Sequence, residues 1–249
     1  MLGAAICTAA QTGSMRKENQ RESQSTPALP AKQGSPSVSV DSRSVTVKAS
    51  TTNSQGKSPG RPARYSYEFT QPNFIVSHVL IEHDGSGLGK ITFERKNSDP
   101  IVDPLDLSPS TIAHIKLLWE ALHFLDSDIN YQTERQYPHL GTMRLRMEQE
   151  MRERLAEFNW TSDRDAFALI TEYKRIANQA IFIFDITLAR ENQPLEAPKL
   201  MVQLDAYVRR NEVADTKQLI PLIRELTTDE RIPLIARNHA ARILKNIEK

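Results

Sequence analysis

The stretch Ser162-Asp-Arg-Asp-Ala-Phe-Ala-Leu-Ile-Thr-Glu-Tyr-Lys-Arg-Ile-Ala-Asn-Gln-Ala-Ile-Phe-Ile-Phe-Asp-Ile-Thr-Leu-Ala-Arg190 decides the fold. Ala166, Leu169, Ile170, Tyr173, Ala177, Ala180, Ile181, Phe184 and Leu188 recur at steps of three and four, the spacing of one apolar stripe on an amphipathic helix. Thr161 or Ser162 stands at the N-cap, where a hydroxyl accepts from an unpaired first-turn amide. Asp163 and Asp165 place negative charge at the positive end of the helix dipole. The pattern predicts a single helix over 162–190; a break near Asp185 would divide it in two. At ~1.5 Å per residue it spans roughly 40 Å, more than one small sheet covers. Phe182 and Ile183 widen the stripe in its second half, so that half is covered on more than one side. The expectation is that its first part lies on a β-region and its second part on the helices that follow.

Upstream of this helix the apolar period is two. Tyr65, Tyr67 and Phe69 alternate with polar residues as in a short strand, and Pro72 interrupts. Phe74 to His83 predicts a strand, Asp84-Gly-Ser-Gly-Leu-Gly89 a turn, and Lys90 to Arg95 the returning strand of a hairpin. Asp99 to Leu107, with Pro100 and Pro104, is expected to be a loop. Ser108-Pro109 supplies an N-cap and first residue for a helix with Ile112, Ile115, Leu118, Trp119 and Leu122 inward, ending near Asp126. Asp128 to Leu140 is an ordered loop. Met143, Leu145 and Met147, then Ala156, Phe158 and Trp160, alternate on either side of a turn at 148–151, which predicts a second hairpin whose arginines and glutamates face solvent.

The expected class is α+β: an antiparallel sheet of two β-hairpins, four or five strands in all, with helices on one face and one long helix, followed by a small C-terminal helical bundle. The order hairpin, helix, hairpin, long helix over about Tyr65 to Arg190 resembles small bacterial exported domains of unknown function. That resemblance is topological and implies no active site. The two β-β-α halves suggest an internal repeat.

After a proline-bearing link at Glu191–Lys199, Leu200, Leu204, Tyr207 and Val208 mark a helix that ends near Asn211. Asp215 or Thr216 caps the next, and Pro233 to Ile247 forms the last. Gln218-Leu-Ile-Pro-Leu-Ile-Arg-Glu-Leu226, with Asp229, Arg237, Ala240, Leu244 and Ile247, resembles a single HEAT repeat. In that family a proline often sits in the first helix, an aspartate in the turn, and an arginine of the second helix pairs with neighbouring turns; Pro221, Asp229 and Arg237 hold those places. About two extra residues around Arg231–Pro233 depart from the pattern. The resemblance implies a protein-binding scaffold, and the same residues also fit a plain helical hairpin. One repeat cannot bury its own faces, so it must pack on the Leu200 helix and the end of the long helix.

The N-terminal quarter is of another kind. Residues 1–10, with small apolar residues ending in Thr8-Ala9-Ala10, are similar to the tail of a secretory signal. This gives the expectation of an exported, periplasmic or envelope protein. Lipidation at the single cysteine, Cys7, is a variant of that reading, though Ile6 stands where a small residue belongs; an uncleaved cytoplasmic protein is the alternative. Residues 11–64 are rich in Ser, Thr, Gln, Pro and Lys, the composition of a disordered linker, although Val38, Val40, Val45 and Val47 alternate as a strand would. The α+β domain is expected at 65–190 and the helical segment at 191–249.

Net charge is +1, so no global electrostatic case exists for nucleic acid or an anionic membrane. One cysteine allows no disulfide framework within the chain. His78, His83 and Asp84 are the nearest approach to a metal cluster, with His114, His123 or His139 as a further ligand, and would suit a metal-dependent hydrolase. But positions five apart on a strand point to opposite faces. Asp84-Gly-Ser-Gly is too short for an EF-hand and lacks the lysine of a P-loop. Ser108 is accounted for by capping. Tyr131, Arg135, Tyr137 and His139 gather aromatic and basic groups in one loop, the choice for a protein-binding surface. The leading expectation is a non-enzymatic protein-binding module of the envelope, with no cofactor and another protein as partner; a metal-dependent enzyme at His78/His83/Asp84 and a cytosolic regulatory domain are the rivals.

Overall fold

The computed structural model describes residues 62–248. The signal-like residues 1–10 and the linker up to residue 61, including the alternating valines, lie outside the described residues.

The chain is α+β. Its strands are β1 (Arg64–Thr70), β2 (Val76–Asp84), β3 (Leu88–Arg95), β4 (Ile101–Asp106), β5 (Thr142–Gln149) and β6 (Arg152–Phe158). They form one antiparallel sheet in the order β4-β3-β2-β1-β5-β6. This is six strands where four or five were expected. The additional one is β4, in the segment expected to be a loop. Pro104 obscured it: a proline cannot donate to a ladder, but an edge strand has an unpaired side, and β4 is the edge. Ile101, Asp103 and Leu105 already carry the alternation. Four strands therefore precede the first helix and two precede the long one, so the halves are not equal β-β-α units. β1 is central, with Tyr67 opposite Ile81 on one side and Leu145 on the other.

Two positions in the sheet require glycine. At Gly89 a Cβ would stand 1.9 Å from the carbonyl oxygen of Glu82, so any side chain would force β2 and β3 apart. Gly141 has φ +90°, and a Cβ there would meet Phe69 Cε2 at 2.7 Å and the Thr70 carbonyl oxygen at 2.8 Å. The β2–β3 turn is closed by Asp84, whose Oδ1 accepts from the Ser86 amide (2.8 Å), the Ser86 hydroxyl (2.6 Å) and the Leu88 amide (3.2 Å).

Helix α1 (Pro109–Ala121) begins as expected, with Ser108 Oγ accepting from the Thr111 amide. It ends earlier than expected, and His123 turns the chain with φ +44°. Helix α2 (Arg164–Asn192) is continuous through Asp185. Its cap is Asp163 rather than Thr161 or Ser162, because the Asp163 carboxylate accepts from both the Asp165 and Ala166 amides. Ile115, Trp119, Leu169, Tyr173 and Ile176 of α1 and α2 share one core with the inward residues of the sheet, among them Tyr67, Ile81, Ile91, Phe93 and Leu145. The other face of the sheet holds charge pairs: Arg144 with Glu68 and Glu157, Lys90 with Glu82, and Arg146 with Glu153.

Beyond α2 come α3 (Ala197–Arg209), α4 (Thr216–Thr228, capped by Asp215) and α5 (Leu234–Ile247). Helix α3 starts inside the segment expected to be a link, since Pro198 in its first turn forfeits only an amide that has no intrahelical partner. These helices build a second core of Met201, Leu204, Leu219, Ile223, Leu226, Ala236 and Ala240 around Phe182 and Ile186 of α2. The long helix thus serves the sheet core with its first part and the helical core with its last, as its widened stripe suggested.

Candidate functional site

Along one flank of α2 runs an open groove of about 1120 Å³. Its α2 wall is Phe167, Ile170, Lys174, Ala177, Ile181 and Leu188, one residue per turn or nearly so. From Phe167 to Leu188 that wall is about 30 Å long at ~1.5 Å per residue. Opposite stand the sheet ends, through Phe69, Phe74–Val76 and Met143, and α3, through Leu200 and Tyr207. Large apolar side chains on this lining are open to solvent: Ile75 at 83%, Phe167 at 48%, Phe74 at 45%, Leu188 at 43% and Trp160 at 40%. Several contiguous exposed apolar groups along one groove are the usual mark of an interaction site.

Hydrogen bonds hold the rim in shape. Gln71, buried between two loops, donates through Nε2 to the carbonyls of Pro138 (3.1 Å) and His139 (2.8 Å). Its own carbonyl accepts from the Phe74 amide at 3.0 Å. Through its main-chain carbonyl and its side-chain amide, Gln71 therefore ties the segment carrying Phe74 and Ile75 to the segment carrying Tyr137 and His139. Asn159 Oδ1 accepts from the Tyr137 amide at 3.0 Å, next to Trp160.

The loop residues expected to bind a partner divide. Tyr131 is not at the surface: it is 3% exposed, its ring packs against Phe124 and Phe158, and Arg154 lies over it. Its aromatic character serves the core. Arg135 and His139 are exposed and Tyr137 is half-buried. The Arg135 guanidinium lies 5.0 Å over the Tyr137 ring, Tyr137 meets Trp160 edge-on at 5.9 Å, and Trp160 meets Phe167 at 6.3 Å. This aromatic row carries the loop into the mouth of the groove. Trp160, Phe167, Phe74 and Lys174 were not singled out from sequence. The available signal was Lys174 itself, a charge four residues after Ile170 and three before Ala177, in the apolar stripe.

The charges on the lining are mostly matched. Arg95 binds Asp185 through both carboxylate oxygens, at 2.6 and 2.7 Å, and Lys199 pairs with Glu196 at 3.7 Å. Lys174 has no carboxylate within 4 Å among the described residues. It is open to the groove mouth, yet the apolar walls desolvate its ammonium and hold its pKa below the ordinary lysine value.

The histidines do not converge. His83 is buried and faces the core. Its Nδ1 is 2.8 Å from the Asp84 carbonyl oxygen, which can only accept, so Nδ1 carries the proton and Nε2 accepts from the Tyr173 hydroxyl at 2.9 Å. The same hydroxyl oxygen accepts from Trp119 Nε1 at 3.0 Å. His78 lies on the opposite face, 3.0 Å from Glu68 Oε1. Asp84 is committed to its turn. Among the described residues no three His, Cys, Asp or Glu side chains gather in a way that could hold a metal ion. In the C-terminal helices, Asp229 pairs with Arg190 of α2 (2.6 Å) and Arg231 (2.8 Å). No helix among the described residues is long and apolar enough to cross a membrane. Compared with protein-family models and with curated proteins, the chain gives no match to either.

Proposed function

We propose that residues 62–248 form a non-enzymatic protein-binding module, and that the partner sits in the groove beside α2. The observation that carries this reading is the set of exposed apolar side chains, Phe74, Ile75, Trp160, Phe167 and Leu188, along a groove beside α2 that no element among the described residues fills. An apolar groove walled by a helix suits a protein segment with apolar anchors. Aromatic anchors flanked by arginine are typical of the energetic centre of such interfaces, and Arg135, Tyr137 and His139 form its outer rim. The signal-like residues 1–10 support an exported setting for this module, and an intact Met1 in the natural protein would count against it.

The test is photo-crosslinking in the native host. A photoreactive amino acid placed at Ile75 or Phe167 is expected to capture a protein, whereas the same group at Val102, which is exposed on β4, captures none. Equal capture from all three positions would remove the groove from consideration.

A further inference from the structure

Five charged side chains line the groove, and four are matched within it: Arg95 to Asp185 and Lys199 to Glu196. Lys174 is the exception. Its helical neighbours at three and four residues, Ile170, Thr171, Ala177 and Asn178, carry no negative charge. Glu172, two residues away, is buried and held by Arg175 at 3.1 Å. Its ammonium is open to the groove mouth and stands between apolar walls without a carboxylate partner among the described residues. A partner's carboxylate completes it, because it accepts several hydrogen bonds and carries the opposite charge.

We propose that the groove takes a protein segment presenting one carboxylate among apolar side chains, and that this carboxylate pairs with Lys174. This rests on the protein-binding reading and names the chemistry of the partner. Exposed apolar side chains lie on both sides of Lys174 along the α2 wall, Phe167 before it and Leu188 after it. The acidic residue therefore falls inside the partner's apolar run rather than at its end. A charge pair formed between apolar anchors fixes register and selects against partners that lack the acid.

Selection from a random-peptide display library tests it, with the full chain as bait, in wild-type form, as Lys174→Glu and as Ile75→Asp. Wild type is expected to enrich apolar peptides with Asp or Glu at one position. Changing that acid to its amide should weaken binding about tenfold or more. Lys174→Glu should enrich Lys or Arg at the same position. Lys174→Met, which keeps the side-chain length without charge, should lose the acidic preference and serves in its place if Lys174→Glu does not fold. Peptides that bind wild type and Lys174→Glu alike, yet are lost on Ile75→Asp, would overturn the carboxylate inference and leave the protein-binding reading standing. Peptides indifferent to Ile75→Asp would overturn the groove reading itself. Dodecanoate binding that requires Lys174 and displaces every selected peptide would replace the protein segment by a small amphiphile and also overturn the proposal.

Discussion

The Tyr173 hydroxyl is 2.9 Å from His83 Nε2, a contact between the middle of α2 and the far end of β2 that fixes the tautomer of a buried histidine. With Trp119 donating to the same oxygen, the three rings form a closed polar chain inside an otherwise apolar core.

Removing that oxygen leaves two buried groups unsatisfied. Tyr173→Phe is expected to lose about 2 kcal/mol of stability with the ring packing kept, because the Trp119 N–H and His83 Nε2 would both lack partners. Urea unfolding measures it. A loss no greater than that of an exposed tyrosine would show that water replaces the hydroxyl.

The same chain makes stability depend on pH in a defined direction. Burial, partly offset by the hydrogen bond to the Asp84 carbonyl, lowers the His83 pKa below its ordinary value of about 6.5. The unfolded chain then binds the proton more readily than the folded one. The contribution is fully present above about pH 6.5 and is lost as pH falls below it. His83→Gln should flatten this part of the stability–pH curve, as followed by thermal unfolding at a series of pH values.

Arg190 and Asp229 fasten the end of α2 to the α4–α5 turn, with Arg190 16% and Asp229 6% exposed. Hydrogen bonds from Arg231 and Arg190 hold the Asp229 carboxyl well below the usual carboxylate range. Its contribution therefore persists above about pH 4 and is lost only as pH falls through that depressed value. Asp229→Ala should cost about 1–2 kcal/mol, discounted for the solvent that reaches Arg231. Denaturation by two probes, tryptophan fluorescence and helical circular dichroism, would read it.

Gly141→Ala places a Cβ against Phe69 and the Thr70 carbonyl at a positive φ. A loss of about 2–3 kcal/mol is expected from strain and displacement together. Gln71→Ala is the milder companion, since it frees the Pro138 and His139 carbonyls without a clash. It should raise hydrogen exchange in the loops at 72–75 and 137–141 while the helices keep theirs.

Periodicity carried much of this fold. The long helix, the β2–β3 and β5–β6 hairpins, and the caps at Ser108 and Asp215 are local features, set by residues within a few positions of one another. β4 escaped because two prolines outweigh a short alternation unless the strand is known to be an edge. The central place of β1 escaped because pairing Tyr67 with Leu145 is a choice between distant segments. The groove escaped for a different reason. Leu188 belongs to the same apolar stripe as Ile170 and Ala177, which are buried in the sheet core, and spacing does not say which part of a wide stripe the fold leaves uncovered. Tyr131 shows the converse, an aromatic in a polar loop that turns inward.

The shared helix α2 has a mechanical consequence. Its first part is a member of one core and its last part of another, and the groove wall lies along the same rod. An occupant that stiffens the wall loads both cores at once, so they should melt as a single unit when it is present. Conversely, a fault at the Arg190–Asp229 clamp, well over 20 Å along the rod from Phe167 at ~1.5 Å per residue, should be felt as weaker grip at the aromatic mouth.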